Sequence, residues 1–231
     1  MLSKNWLISK LDVVESTQDL ARDLILNGQQ VAIVAKNQTK GYGQHKRPWQ
    51  APEGNLNLSI AFESDNPTTQ VTYVTCVALG KTLESFKQDL EMQYKWVNDL
   101  LIDGKKVSGI LTEQYGKKLI IGVAVNIKNH PDTTNTSAVG ATDLSEHGIQ
   151  TTAEEFMNRF LEIFTDTYNE WLSKGFNLIK KQWKARAYKL NEKVSIDGTS
   201  GIFLDIDSKD GSLILQMQDS QLMKIQTGSL R

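Results

Sequence analysis

The stretch Lys95-Trp96-Val97-Asn98-Asp99-Leu100-Leu101-Ile102-Asp103-Gly104-Lys105-Lys106-Val107-Ser108-Gly109-Ile110-Leu111-Thr112-Glu113 decides the fold. It predicts a hairpin, because two apolar runs flank Asp103-Gly104, a dipeptide typical of two-residue hairpin turns. Gly109 lies inside the second strand, which indicates that another group approaches the backbone there. A rigid hairpin can hold Asp99 and Lys106 against a ligand, although charged residues beside a turn are more often simply solvated.

A second informative stretch runs from Gln38 to Trp49 and is predicted to be a loop. Gly41 and Gly43 permit a close approach of the backbone to phosphate. The cations that could face a polyanion are Lys40, His45, Lys46 and Arg47. Taken alone, the stretch is more typical of a mobile basic surface loop without a ligand.

Composition narrows the class of protein. The 231 residues and 25.9 kDa suit one large domain, or one large and one small domain. A net charge of −1 gives no general attraction to nucleic acid or to an anionic membrane, and we expect neither as a partner. The single Cys76 excludes an internal disulfide, and the sequence has neither a signal peptide nor a spanning apolar run, so we expect the cytoplasm. Cys76 is interpreted as a small buried hydrophobe within a helix.

Apolar periodicity predicts the other elements. Ser16 or Thr17 is the expected N-cap of the first helix, and Thr152 with Glu155 forms a capping box that opens a later one. The alternation in 54–60 is typical of a half-exposed strand. The remaining expectations are strands over 6–14, 31–36 and 119–126, helices over 71–90 and 176–190, and a small antiparallel barrel from residue 191.

The order Lys-Trp-x-Asn-Asp, hairpin, Lys-x-x-Gly-Ile-Leu-x-Glu resembles the central signature of biotin protein ligases. Their ligand-closing loop, commonly Gly-Arg-Gly-Arg-x-x-Arg-x-Trp, is matched at Gly41, Gly43, Arg47 and Trp49. Weaker matches are Ser16-Thr17 to a biotin-contacting Ser-Thr-Asn, Asn126 to the end of a nucleotide-lining Gly-x-Gly-x-Asn strand, and Ser229-Leu230-Arg231 to a terminal Ser-Leu-Arg. The resemblance covers nearly the whole chain.

The chain departs from the family pattern at a few positions. Tyr42 and Gln44 replace two loop arginines that in the family help to hold the biotin carboxylate and the adenylate phosphate. Because neither residue bonds an anion as strongly as arginine, we expect weaker retention of the activated intermediate. Val97 replaces a usual proline, Gln18 an asparagine and Ala124 a glycine.

The resemblance implies an α+β fold: a mixed, mostly antiparallel sheet packed by helices, as in class II synthetases, followed by a small SH3-like barrel. We therefore expect a catalytic domain over 1–188 and an SH3-like domain over 189–231. Bifunctional relatives carry an N-terminal winged helix-turn-helix, whereas this chain begins close to its first core strand, so we do not expect a repressor.

The implied activity is that of an ATP-dependent ligase. It activates biotin as biotinyl-5′-AMP and transfers biotin to a lysine of a biotin carboxyl carrier domain, that of acetyl-CoA carboxylase or a related carboxylase. ATP and biotin are then substrates, and Mg²⁺ the metal. Two alternatives stay open: a lipoate or octanoate ligase of the same fold, whose usual Arg-Arg-x-x-Gly-Gly-Gly motif is absent, and a catalytically weakened biotin-binding homologue. Monomer and homodimer are both compatible with the sequence.

The site residues follow from the matched motifs. Lys106, Asp99 and Arg47 are the expected catalytic residues: Lys106 stabilises charge at the α-phosphate, and Asp99 orients the acceptor amine and is a candidate Mg²⁺ ligand. The expected biotin-binding residues are Ser16, Thr17, Gln18, Gln38, Gly41, Tyr42, Gly43, Gln44, Lys106 and Gly109. The expected nucleotide-binding residues are Arg47, Trp49, Asn98, Lys106, Asn126 and Arg231.

Overall fold

The structure is a computed structural model that describes residues 1–25, 28–49, 52–132 and 139–230. Its main sheet has seven strands in the order β1-β2-β3-β7-β6-β5-β4. The first pair is parallel and every other pair is antiparallel, which confirms the predicted mixed sheet. The strands are β1 (Leu7–Val14), β2 (Val31–Gln38), β3 (Leu56–Glu63), β4 (Met92–Lys95), β5 (Asp99–Ile102), β6 (Lys105–Tyr115) and β7 (Lys118–Val125).

Helices cover both faces of this sheet. The helices are α1 (Thr17–Leu24), α2 (Thr68–Phe86), α3 (Ala153–Lys174) and α4 (Phe176–Lys184). The short α1 packs on one face, where Ala21 and Ile25 meet Ala61 and Ile120. The other three helices share the main core on the opposite face. The predicted caps are confirmed, since Ser16 and Thr152 accept backbone N–H groups three residues ahead.

A small antiparallel sheet follows α4, as predicted. Its strands, in the spatial order β11-β10-β9-β8, are β8 (Lys193–Ile196), β9 (Thr199–Ile206), β10 (Leu213–Gln216) and β11 (Leu222–Ile225). It shares the main core: the rings of Trp183 and Phe203 lie 6.3 Å apart, and the Tyr73 hydroxyl donates to the Gly211 carbonyl at 2.8 Å. The division into domains at residue 188 stays a prediction.

Three predictions about elements were wrong in detail. In the half-exposed strand, Asn57 and Ser59 are only 1% exposed, because the polar face of β3 is covered. The helix predicted over 71–90 ends at Phe86, where the backbone becomes extended. The helix predicted over 176–190 ends at Lys184, because Tyr94 of β4 takes the next residues as partners, with its N–H donating to the Arg186 carbonyl.

Cys76 is fully buried in α2, as the sequence indicated. Burial raises the pKa of its thiol to about 12, so the thiolate that a nucleophile needs does not form near neutral pH. Within the described parts of the chain, no helix has the length and apolar content that a bilayer span requires.

Candidate active site

The hairpin between β5 and β6 positions Lys106. Asp103 and Gly104 have φ of 49° and 73°, the pair of positive values of a type I′ turn. The β5–β6 register then shifts, since Leu101 pairs with Lys106 but Leu100 pairs with Ser108. Such a bulge re-aims the side chains beside it, and here it follows Lys106 directly.

One cavity of about 560 Å³ lies on the α1 face of the sheet, between this hairpin and the loop 40–49. Its volume is within the usual range for small-molecule sites. Fourteen predicted site residues line it: Ser16, Thr17, Gln18, Gln38, Tyr42, Gly43, Gln44, Arg47, Trp49, Asn98, Asp99, Lys106, Gly109 and Asn126. Lys106 of the hairpin and the glycine-flanked loop therefore line the same cavity.

Asp99 lies between two ammonium groups in this cavity. Its Oδ1 is 2.5 Å from Nζ of Lys106, and its Oδ2 is 3.7 Å from Nζ of Lys95. The close approach to Lys106 lacks hydrogen-bond angles and is an ion pair. Lys95 is only 7% exposed, and burial lowers the pKa of its ammonium, an effect that the charge of Asp99 partly opposes.

Gly109 explains how Lys106 and Trp49 come together. A Cβ added at Gly109 would lie 3.1 Å from the Trp49 ring and 3.3 Å from Nζ of Lys106. The ammonium of Lys106 in turn lies 5.2 Å from the centroid of that ring. The group that the sequence predicted close to the Gly109 backbone is thus this pair, and any larger residue would displace it.

The cavity floor is polar. The Thr17 backbone N–H donates to Gln38 Oε1 at 2.8 Å, and the Thr17 hydroxyl lies 2.9 Å from that of Ser59. Asn57, which precedes Ser59 on the same face of β3, also lines the cavity and accepts from the Gln38 side chain at 3.4 Å. These donors and acceptors suit a neutral polar ring.

Gln18 and Tyr42, two of the departures from the family pattern, contact one carboxylate. Gln18 is 5% exposed and donates to Glu113 Oε2 at 3.1 Å. The Tyr42 hydroxyl lies 3.2 Å from the same oxygen and 3.1 Å from Asp19 Oδ1. Burial and the two carboxylates raise the pKa of Tyr42, so its hydroxyl stays a donor.

At the other end of the cavity, two side-chain amides donate hydrogen bonds to backbone carbonyls. Asn98 donates to the Ile110 carbonyl at 2.7 Å, and Asn126 donates to the Thr142 carbonyl at 3.0 Å. Arg47 is exposed on the loop, where its carbonyl accepts from the Gly43 N–H at 2.8 Å. Arg47 therefore supplies a solvent-accessible cation among the residues that line the cavity.

Among the described residues of the predicted site, Gly41 does not line the cavity and instead packs on the Gln38 side chain. The predicted Arg231 lies outside the described residues. The sequence-based set also missed cavity residues, among them Asn57, Ser59, Lys95, Asp197 and Ser229. For Lys95 the available signal was its place in the Lys-Trp-x-Asn-Asp signature. For Asn57 and Ser59 it was the alternation of β3, which marked the polar face of that strand.

The fold and cavity define a class of protein: an α+β core in which a glycine-flanked basic loop and a lysine-bearing hairpin close one site, with a small antiparallel sheet packed beside it. The chain belongs to the biotin/lipoate A/B protein ligase family, whose model matches residues 11–129.

Known proteins resemble the chain over most of its length. It is 31% identical over 225 residues to the bifunctional ligase/repressor BirA of Bacillus spizizenii, covering 90% of this chain and 69% of that protein. It is 29% identical over 201 residues to the biotin--[acetyl-CoA-carboxylase] ligase of Paracoccus denitrificans, covering 80% and 83% of the two chains. The biotin protein ligase of Aquifex aeolicus, solved in complex with biotin and ATP, superposes with a TM-score of 0.85 at 26% identity and 97% coverage of both chains.

Proposed function

We propose that this chain is an ATP-dependent biotin protein ligase, which activates biotin as biotinyl-5′-AMP and transfers the biotinyl group to a lysine of a biotin carboxyl carrier domain. The observation that carries the proposal is that the Lys106 ammonium and the loop 40–49 line the same cavity. The biotin and ATP bound by the Aquifex aeolicus ligase support the choice of substrates.

In the first half-reaction a biotin carboxylate oxygen attacks the α-phosphorus of ATP, and pyrophosphate leaves with the electron pair of the broken P–O bond. Negative charge builds on the phosphoryl oxygens, so a fixed cation beside them lowers the barrier. Lys106 supplies that cation, because its ammonium lines the cavity and the Asp99 carboxylate fixes its position. Arg47 adds a second cation from the cavity mouth.

In the second half-reaction the amine of the acceptor lysine attacks the carbonyl carbon of the adenylate. The new C–N bond forms, the C–O bond to phosphate breaks, and AMP leaves. The amine also loses a proton, which passes to the departing AMP phosphate or to water, and a carboxylate near the reacting carbon orients the amine by accepting a hydrogen bond from it. Asp99 takes this role, since it lies at the cavity end of the hairpin beside Lys106.

The two substrates occupy different ends of the cavity in this proposal. The ureido ring of biotin lies on the polar floor, near Thr17, Gln38 and Ser59. The nucleotide lies toward Asn98, Asn126 and Trp49. Arg231 is proposed to bind the nucleotide as well. This is supported by Ser229, two residues earlier, which lines the cavity.

The surroundings of Asp99 do not fit a resident Mg²⁺ ion. Mg²⁺ prefers an octahedral set of oxygen ligands, whereas both oxygens of Asp99 face ammonium groups, at 2.5 Å and 3.7 Å. A divalent ion there would have to displace Lys106, so we do not retain Asp99 as a metal ligand. Mg²⁺ remains in the proposal only as the usual companion of the ATP phosphates.

The acceptor we propose is the carrier domain of acetyl-CoA carboxylase or of a related carboxylase, because the Paracoccus denitrificans relative is named for that acceptor. We also propose a cytoplasmic location, which the single cysteine supports.

The decisive experiment incubates the protein with ATP, Mg²⁺, labelled biotin and an apo carrier domain, and measures label on the carrier. We expect label that depends on ATP and on the acceptor lysine. Preference for lipoate or octanoate over biotin would replace the proposal by the alternative of a lipoate or octanoate ligase. Biotin binding without adenylate formation or transfer would leave a binding protein and overturn the catalytic proposal.

A further inference from the structure

Side-chain contacts tie the loop 40–49 to helix α1 and strand β6. Tyr42 extends from the loop so that its hydroxyl lies 3.1 Å from Asp19 Oδ1 and 3.2 Å from Glu113 Oε2. Lys46, four residues further along the loop, places its ammonium 3.5 Å from the Tyr42 ring centroid and 3.7 Å from Glu113 Oε1. We call these four side chains the loop contact.

Glu113 is the centre of the loop contact. Its side chain is 19% exposed, and each of its two oxygens faces the loop, one toward Tyr42 and the other toward Lys46. The oxygen near Tyr42 also accepts from Gln18 at 3.1 Å. Gln18 in turn accepts from Ser59 on the cavity floor at 3.1 Å. One carboxylate on β6 therefore connects the loop with the floor.

Tyr42 does not need a bound anion as a partner, whereas an arginine at the same position would. An arginine at position 42 would carry its charge in the loop and could be held by a bound anion. Tyr42 is neutral and donates its one hydroxyl proton to carboxylates that belong to the protein. Since hydrogen bonds to charged acceptors are among the stronger ones, the loop has a partner before any anion is bound.

We propose that Glu113 is a positioning residue that, through Tyr42 and Lys46, holds the loop 40–49 over the cavity in the ligand-free protein. The loop is then already in place when biotin and ATP arrive. This inference rests on the proposed function only for its catalytic consequence, because loop order can be measured without any substrate.

The test is limited trypsin digestion of the ligand-free protein, since Lys40 and Lys46 lie in the loop as cleavage sites. Tyr42→Phe and Glu113→Gln keep both sites and weaken the loop contact. We expect cleavage in the loop to be at least about tenfold faster in each variant, as loss of a hydrogen bond to a charged group predicts. Tyr115→Phe, on the same strand but 42% exposed, is the matched control and should be cleaved at the wild-type rate.

Thermal unfolding is measured on the same samples, so that faster cleavage of a globally destabilised variant is recognised. Glu113→Asp, which keeps the charge but shortens the side chain, should be intermediate between Glu113→Gln and wild type. Equal cleavage rates in Tyr42→Phe, Glu113→Gln and wild type would overturn the inference. So would a wild-type loop that is cut rapidly until biotin and ATP are added.

The catalytic consequence has a separate readout. If the protein is a biotin ligase, Glu113→Gln should raise the KM for biotin about tenfold while the kcat for pyrophosphate release changes little, because the bound substrates bring the loop and Arg47 back into place once the complex has formed. An equal fall in kcat and kcat/KM would contradict a positioning role. If no biotin turnover is found at all, the proposed function fails, yet the trypsin result still decides the loop inference.

Discussion

The carboxylate of Asp99 lies 2.5 Å from the ammonium of Lys106, and this ion pair forms across the β5–β6 hairpin at the wall of the cavity. It fixes a flexible lysine side chain before a substrate arrives. Preorganised charge is more effective in catalysis than charge that must reorient during the reaction.

Replacing Lys106 by alanine should reduce adenylate formation by about 100- to 1,000-fold, as expected when one fixed group that stabilises transition-state charge is removed. Biotin-dependent pyrophosphate release measures this step directly. Lys105→Ala is the matched control, because Lys105 is exposed beside the same turn. Near-normal pyrophosphate release by Lys106→Ala would show that the cation acts elsewhere.

Lys95 should leave a signature in the pH dependence of stability. Burial lowers its pKa in the folded protein below the ordinary 10.5, so between the two values the unfolded chain binds more protons. The free energy of unfolding contributed by Lys95 therefore rises with pH across that window. Urea unfolding of wild type and Lys95→Met at about pH 7 and about pH 10 should show wild type gaining relative to the variant.

Lys105→Met serves as the control for this experiment, since Lys105 is exposed beside the Asp103-Gly104 turn. Parallel pH profiles of wild type and Lys95→Met would mean that Lys95 is as well solvated in the folded protein as in the unfolded chain.

Gln44→Arg should slow the release of biotinyl-5′-AMP about tenfold. Gln44 lines the cavity, and a guanidinium there would replace a neutral contact to the phosphate with a charge-assisted one. Rapid gel filtration of the protein with its labelled adenylate gives the half-life of the complex. Gln44→Lys should slow release less, because lysine lacks the planar fork, and unchanged half-lives in both variants would place the phosphate away from position 44.

Tyr73→Phe should lower the free energy of unfolding by about 1–3 kcal/mol, the cost of leaving buried polar groups without a partner. The Tyr73 hydroxyl accepts from Trp96 Nε1 at 3.0 Å and donates to the Gly211 carbonyl at 2.8 Å. Urea denaturation measures the loss, with the exposed Tyr115→Phe as the reference change. A loss no larger than that of the reference would indicate that water replaces the hydroxyl.

Local signals made much of the fold predictable. The Asp103-Gly104 turn and the Ser16 and Thr152 caps each depend on a few neighbouring residues, and all three appear where the sequence placed them. The matched motifs also brought the hairpin lysine and the loop to one cavity. Such features can be read from sequence because the interactions that determine them are short in range.

The features that sequence did not reveal depend on distant partners. Helix α4 ends early because Tyr94, about ninety residues before its end, pairs with the chain that follows. The hydroxyl of Tyr42 reaches Glu113 on β6, a contact that no loop pattern encodes. The alternation of β3 showed which face is polar, but it could not show that a cavity rather than bulk water covers that face.

Strand β3 therefore has two working sides. Its even-numbered positions, from Leu56 to Phe62, are packed in the main core, whereas Asn57 and Ser59 meet the cavity. A mutational scan along this strand should therefore alternate in phenotype: changes at the even positions should lower thermal stability, and changes at Asn57 and Ser59 should alter ligand binding. Substrate preference could then be re-engineered at Asn57 and Ser59 while the side chains that pack in the main core are left untouched.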